Sequence, residues 1–265
     1  MADSPDVTLI RKVFQAAAAG DVRVLREVIA PDCAQHIPGN SPIGGETKGR
    51  DAVLETLNRR AELTDGTFQA APELILENGR GLVTAVSRIT AKRDRKKLDA
   101  RSAQVFQIVD GKIEDIRLLS NDLDTVNAFF GGTKVAASKD VATVRKGYAA
   151  FGKGDLGTLR KLFAPDVVHR VGGNSTLTGD YEGPDAVLEL YGRIAEESHS
   201  TFTADLEEVF EDRNGHVLSL HRERAERNGR QHDQRHILLF TFLGGLILSL
   251  EECAEDLKAE DAFWA

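Results

Sequence analysis

Four histidines, His169, His221, His232 and His236, gather in the second half of the chain. Imidazole changes charge near neutral pH, which makes it a ready general acid or base. Strand alternation sorts them by face: Val167, His169 and Val171 share one side of a segment, and His232, Gln234, His236, Leu238 and Phe240 share one side of another. His169 and His236 are therefore candidate catalytic groups in one pocket. His232, next to a turn, reads more simply as a solvated or interdomain histidine. Glu252 is the third catalytic candidate, either an acid in the same pocket or a surface acid beside Glu251. No His-x-His or His-x-x-x-His pair has a convincing acid beside it on the same strand, so no metal site is expected. Phosphate-cradling glycine loops, a nucleophile elbow and a Ser-His-Asp set are all missing from the sequence, so no cofactor is expected either.

The elements that must position these groups occur twice. Asp21 recurs as Asp155, Asp51 as Asp185 and Phe129 as Phe263, each 134 positions on and without a gap. The runs Ala30-Pro31-Asp32 and Asp51-Ala52-Val53-Leu54-Glu55 return as Ala164-Pro165-Asp166 and Asp185-Ala186-Val187-Leu188-Glu189. Repeats of this length are whole domains. The expected division is a first domain over 1–131, a small and polar linker over 132–140, and a second domain over 141–265.

Each copy opens with helical spacing. Ser4 can cap a helix carrying Val7, Ile10, Phe14 and Ala17 until Gly20, Asp21 can cap a second that Pro31 ends, and a third runs from about Asp51 to Glu62. In the second copy Asp140 is placed to cap the opening helix. A short strand is expected over Cys33–Ile37. Hairpin dipeptides follow, Asn78-Gly79, Asp110-Gly111, Asn228-Gly229 and Gly244-Gly245, flanked by strand-like runs. Helices followed by an antiparallel meander indicate an α+β fold. By strand alternation Gln35, like His169, looks into its pocket, whereas His36 looks away unless a one-residue bulge reverses the face. Asp99-x-Arg101 and Asp233-x-Arg235 read as cross-sheet ion pairs.

The segment Ala30 to Pro42, with Gly45 and Gly49-Arg50-Asp51-Ala52-Val53, resembles the SnoaL-like members of the nuclear transport factor 2-like superfamily, as do Asp261-Ala262-Phe263-Trp264 and the spacing of Phe106, Gly111 and Ile113. The resemblance covers nearly the whole chain, once per copy. It implies two tandem cone-shaped (cystatin-like) α+β barrel domains, each a bent sheet round helices with a mostly apolar pocket, pairing as an intrachain pseudo-dimer. The superfamily includes ketosteroid isomerases, polyketide cyclases and limonene epoxide hydrolases, and fold does not carry function across it.

Against the isomerases, the tyrosine position falls at Val13 and Gly147, the base at Ile37 and Val171, and the second acid at Gln104 and Leu238, so none of the three is retained. Tyr148 lies one residue past the tyrosine position, a rotation of about 100° round a helix that turns it elsewhere. Against the epoxide hydrolases, the final acid falls at Leu118 and Glu252, and the arginine at Arg88 and Arg222 without its aspartate partner. Candidate ligand contacts are Gln35, His36, Asn40, Arg88, Gln104, Tyr148, Asn174 and Arg222. The expected function is a cofactor-free acid–base enzyme, of cyclase, isomerase or epoxide-hydrolase type. Its substrate would be a small, largely apolar carbonyl or epoxide compound, such as a polyketide-like molecule, with the chemistry in the second copy. The alternative is a non-catalytic protein that binds or sequesters a small molecule.

Net charge is −8, which opposes binding to nucleic acid, and the one basic run, Lys92 to Lys97, sits where a hairpin turns. The apolar stretch Ile237 to Leu250 is broken by Gly244-Gly245 and reads as two strands, so no membrane association is expected. The residues from Met1 to Asp6 lack a secretory pattern, and Cys33 and Cys253 lack metal-type spacing. Reduced, buried thiols in a monomeric cytoplasmic protein are the expectation.

Overall fold

The computed structural model describes residues 3–265, so the first two residues of the amino-terminal reading lie outside the described residues. The chain divides into two compact units, one built mainly of residues up to Ala136 and the other mainly of residues from Ala137. The first unit contains α1 (Pro5–Ala19), α2 (Val22–Val28), β1 (Ile29–Ile37), β2 (Gly45–Lys48), α3 (Arg50–Leu63), β3 (Gln69–Glu77), β4 (Leu82–Arg93), β5 (Lys96–Val109), β6 (Lys112–Ser120) and α4 (Leu123–Phe129). The second repeats the order: α5 (Asp140–Phe151), α6 (Leu156–Leu162), β7 (Phe163–Val171), β8 (Gly179–Glu182), α7 (Gly183–Glu197), β9 (Thr203–Glu211), β10 (His216–Arg227), β11 (Arg230–Leu243), β12 (Leu246–Ala254) and α8 (Leu257–Trp264).

Local chemistry sets these boundaries. The Ser4 hydroxyl accepts from the Val7 amide at 3.1 Å, and Gly20 closes α1 in the left-handed region at φ 67°. Asp21 and Asp155 accept from the amides of Val24 and Thr158. The helix α5 departs from the expected capping: Asp140 is its first helical residue, and its amide donates instead to the Ser138 hydroxyl. The first strand of each copy is longer than expected. It begins at Ile29 and Phe163 and carries Pro31 and Pro165 where its pairing to β6 or β12 shifts register, the place where a missing N–H costs least. Gly244 and Gly245 both take positive φ, 60° and 82°, as a two-residue hairpin loop between twisted strands requires.

In each unit a meander, β3 to β6 or β9 to β12, is extended by the parallel strand β1 or β7 and then the short strand β2 or β8. The three helices before and within the sheet pack on its inner face. Ile10, Leu25, Cys33, Val53, Val83 and Ile113 are among the residues of the first core, and Val144, Leu159, Val167, Val187, Val217 and Leu250 among those of the second. Both cysteines are buried, and neither forms a disulfide among the described residues. Burial, with Asp115, Asp32 and Glu114 nearby, pushes the Cys33 thiol up to about 12. No helix among the described residues is long and apolar enough to cross a membrane.

Candidate active site

The inward face of the second sheet carries an unusual density of ionisable side chains. Alternation along β10 turns Ser219, His221 and Glu223 inward while Arg222 and Arg224 point out, and along β11 it turns His232 and His236 inward. Register pairs His221 with His236 and Leu238 with Glu252, which brings β12 into the same group. From the other side, β7 contributes His169, α5 contributes Tyr148 and α7 contributes Tyr191. Of these, His169, His221, Glu223, His236, Glu252, Tyr148 and Tyr191 line a cavity of about 110 Å³, together with Glu260 from α8 and a largely apolar remainder that includes Val144, Phe151, Leu190 and Phe240.

Glu252 occupies the centre. His236 Nδ1–H donates to its Oε1 at 2.9 Å, and its Oε2 lies 3.9 Å from His169 Nε2. Burial would raise the Glu252 carboxyl, but the hydrogen bond and charge of His236 outweigh it and hold the group ionised below its usual range. Burial would also lower His236. The charges of Glu223 and Glu260 and the hydrogen bond to Glu252 win, and the imidazole stays protonated well above its usual range. His169 has no such partner: burial lowers it to about 4 against a weaker pull from Glu252, so it is neutral at pH 7. His221 is lowered to about 3 by burial and the neighbouring His236 charge. Glu252 thus offers the cavity an open carboxylate oxygen beside the neutral imidazoles of His169 and His221 and two phenols that burial keeps protonated.

Tyr148 faces this cavity, contrary to the helical-rotation argument. Its hydroxyl hydrogen-bonds with Ser219 Oγ at 2.7 Å and His221 Nδ1 at 2.9 Å. The physical reason is that Val144, Tyr148 and Phe151 form one stripe of α5, while Gly147 leaves space beside it. A second set reaches the same cavity through His221, Glu223 and Glu260. His221 Nε2 meets Glu223 Oε1 at 3.0 Å, and the Glu223 carboxyl, raised to about 8 chiefly by burial, lies near His236, His232 and Glu260. The reading of His232 as solvated is corrected, since it is buried against Phe263 with ring centroids 4.9 Å apart. The expectation that no histidine pair has a convincing acid beside it on its own strand stands, yet His232 and His236 do have acids at hand. The acids come from neighbouring strand β10 and from α8, which spacing along one strand does not reveal.

The first unit encloses a larger cavity of about 650 Å³, lined by Val13, Phe14, Leu54 and Phe106 with the polar groups Gln35, Gln104 and Arg60. Gln35 faces inward as its alternation implies, and no bulge turns His36 in. His36 lies on the other face, 2.9 Å from Asp115 and 3.3 Å from Glu46. Gln104 donates to Ser102 Oγ at 3.2 Å. Arg60, which the sequence reading passed over, lies on α3 with its guanidinium 4.8 Å from the Phe68 ring centre, and burial lowers it to about 10.

Besides His36, four expected ligand contacts are placed elsewhere. Arg88 and Arg222 lie on the outward faces of β4 and β10, where they pair with Asp99 and Asp233 across the strands. Asn40 spends its side chain on Thr133 and Asn127, tying the β1–β2 loop to the segment after α4. Asn174 is exposed, with its amide donating to Asp261.

Comparison with known proteins matches both copies to one family model. Residues 10–116 and residues 144–250 each match the model described as the SnoaL-like domain. An uncharacterized protein of Mycobacterium tuberculosis is 40% identical over 126 residues, which is 48% of this chain and 96% of that protein. Among solved structures, Bal32a from a soil-derived mobile gene cassette is 38% identical, covering 48% of this chain and 97% of its own, with a TM-score of 0.47. A Xanthomonas campestris protein of unknown function with a cystatin-like fold is 26% identical, covering 48% of this chain and 98% of its own, with a TM-score of 0.44.

Proposed function

Because the chain belongs to the SnoaL-like domain family, with both of its halves matching, we propose that it is a cofactor-free acid–base enzyme of the cyclase and isomerase kind, with its chemistry in the second cone. One observation carries this reading: Glu252, whose Oε1 accepts from His236 Nδ1 and whose Oε2 lies 3.9 Å from His169 Nε2, faces a cavity with a largely apolar wall. A carboxylate kept ionised and fixed by one hydrogen bond, with its other oxygen open to the cavity, is positioned to take a carbon-bound proton. In the step envisaged, Glu252 Oε2 removes the proton α to a carbonyl. The electron pair moves onto the carbonyl oxygen, where the phenol of Tyr148 or Tyr191 donates to the developing oxyanion. Return of the proton to another carbon completes an isomerisation; in a cyclisation the enolate carbon bonds to a second carbonyl carbon, whose π pair moves onto its oxygen, and the alkoxide so formed takes the proton held by Glu252. An epoxide fits the same groups less well, because Arg222 lies on the outward face of β10, where it is paired with Asp233 and does not reach the cavity.

Size narrows the substrate. A cavity near 110 Å³ is smaller than the roughly 150 Å³ site that holds benzene, so acetone fits it as it stands, cyclopentanone, about the size of benzene, needs the cone to widen slightly, and a polyketide-sized molecule needs it to widen much more. The test is solvent exchange. With cyclopentanone in D₂O, the protein is expected to speed α-deuterium incorporation followed by NMR, and no acceleration over buffer across a panel of small ketones would reject the reading.

A second reading is favoured for the first cone by Arg60. Its guanidinium lines a cavity within the roughly 300–1,000 Å³ typical of ligand pockets, and no acidic side chain pairs with it among the described residues. We infer that this cone binds an apolar molecule bearing a carboxylate, without chemistry. Medium-chain fatty acids should bind, and Arg60→Leu should weaken them by roughly tenfold or more, the size of one charge-assisted hydrogen bond. Calorimetry showing equal affinity for the acid and its methyl ester would contradict this.

A further inference from the structure

The corner of the second cone where α8 meets β10 and β11 gathers more ionisable groups than the proposed proton transfer uses. One donor atom from each of Glu223, His232, His236 and Glu260 lies within 4.8 Å of every other. His236 Nε2 stands 3.1 Å from Glu260 Oε2 and 3.5 Å from Glu223 Oε2, while His232 Nε2 stands 3.3 Å and 3.9 Å from the same two oxygens. None of these approaches is aligned as a hydrogen bond, and both Nε2 atoms are buried without a hydrogen-bond partner. The two histidines are 6% and 0% exposed. A tetrahedral ion with ligands at about 2.0–2.2 Å holds its donors about 3.3–3.6 Å apart, so the spacing is that of atoms round one small cation.

The partners behind the four donors fit the same purpose. When an ion binds, His236 gives up its Nε2 proton while Nδ1–H stays committed to Glu252, and the Nε2 lone pair then faces the cluster. Glu223 Oε1 is held by His221, and Glu260 Oε1 by the indole N–H of Trp264 at 2.7 Å, so both carboxylates turn Oε2 inward. Glu260 Oε2 also accepts from Gln234 at 2.7 Å and keeps a second lone pair. The ring of Phe263 fixes His232.

The internal repeat gives an independent argument. At the matching positions the first copy has Ile89, Leu98, Ser102 and Val126, and Ile89, Leu98 and Val126 belong to an apolar cluster there. The fold therefore builds this corner without charge. Replacing an apolar cluster by two acids and two histidines costs several kcal/mol in desolvation unless something neutralises and orders them.

We propose that Glu223, His232, His236 and Glu260 bind one divalent cation of the zinc type. Imidazole and carboxylate donors in a four-coordinate, closed shell suit Zn²⁺, and a closed shell is the mark of a structural site. Such an ion fixes α8 to β10 and β11, and through His236 it sets the orientation of Glu252. The proposal goes beyond the acid–base reading and stands whether or not Glu252 moves a proton, because its test is spectroscopic.

The full-length protein is dialysed against EDTA and titrated with Co²⁺. The expected result is the intense visible absorption of tetrahedral Co²⁺, saturating at one ion per chain, with parallel quenching of Trp264, the only tryptophan. Zn²⁺ should displace the colour and raise the thermal midpoint of the second unit. His232→Gln and Glu260→Gln should each weaken binding a hundredfold or more, whereas His36→Asn, in the other copy, should leave it unchanged. Two variants on different elements guard against one failing to fold, and circular dichroism checks each. The weak spectrum of octahedral Co²⁺, saturation only at millimolar metal, or undiminished binding in both folded variants would overturn the proposal.

Discussion

Glu252→Gln is expected to slow deuterium incorporation into cyclopentanone by about a hundredfold or more, the usual contribution of a positioned general base. The substitution keeps the volume of the side chain and an oxygen able to accept from His236 Nδ1, now 2.9 Å from Glu252 Oε1. What it removes is the charge and basicity of Oε2, the atom that faces His169 across the cavity. The effect should fall on kcat rather than KM, because the binding walls are apolar and unchanged. Gln35→Ala, at the position matching His169 in the first copy, should leave the rate within a few-fold of the parent. Equal losses from the two substitutions would remove the asymmetry between the copies.

Replacing His236 should be the most damaging single change to stability. Its imidazolium lies 2.9 Å from Glu252, 3.1 Å from Glu260 and 3.5 Å from Glu223, and it is fully buried. Truncation to alanine strands three acids without their shared counter-charge, a loss of about 3–5 kcal/mol for a broken buried pair. Trp264 reports the second unit alone, since it sits on α8 beside Glu260. Urea unfolding of EDTA-dialysed protein followed by its fluorescence should show a midpoint lowered accordingly. An unchanged midpoint would mean that the cluster is hydrated and its charges independent. The same truncation at Ser102, the matching position in the first copy, should cost far less, because a hydroxyl leaves no charge behind.

Much of the fold could be read from residue order. The exact repeat, the helix caps at Ser4, Asp21 and Asp155, and the glycine-bearing hairpins all act within a few residues of themselves, so local chemistry decides them. Alternation also placed Gln35 and His169 inward and His36 outward, because the register shift in β1 ends at Ala34, before either residue. The errors share a different origin. Arg88 and Arg222 were aligned to pocket positions by family pattern, whereas the pleat turns them out and turns Ser87 and His221 in. Tyr148 was judged from a single residue offset, although the stripe Val144–Tyr148–Phe151 was the better guide. The cluster of Glu223, His232, His236 and Glu260 joins two strands and a helix, so no spacing along the chain announces it. The repeat itself held the clue: Ile89, Leu98 and Val126 become Glu223, His232 and Glu260, and an apolar core position that turns ionic in one copy marks a site.

The claim that chemistry belongs to the second cone is tested most directly by blocking one cone at a time. Val13 and Gly147 occupy matching positions and each lines its own cavity. A Cβ at Gly147 meets nothing closer than Leu162 at 3.6 Å, so a phenylalanine there can start from an unstrained backbone and fill the space before Glu252. Exchange into cyclopentanone should fall about a hundredfold or more in Gly147→Phe and stay near the parental rate in Val13→Phe, both folded by circular dichroism. Full activity in Gly147→Phe, or its loss in Val13→Phe, would contradict the account.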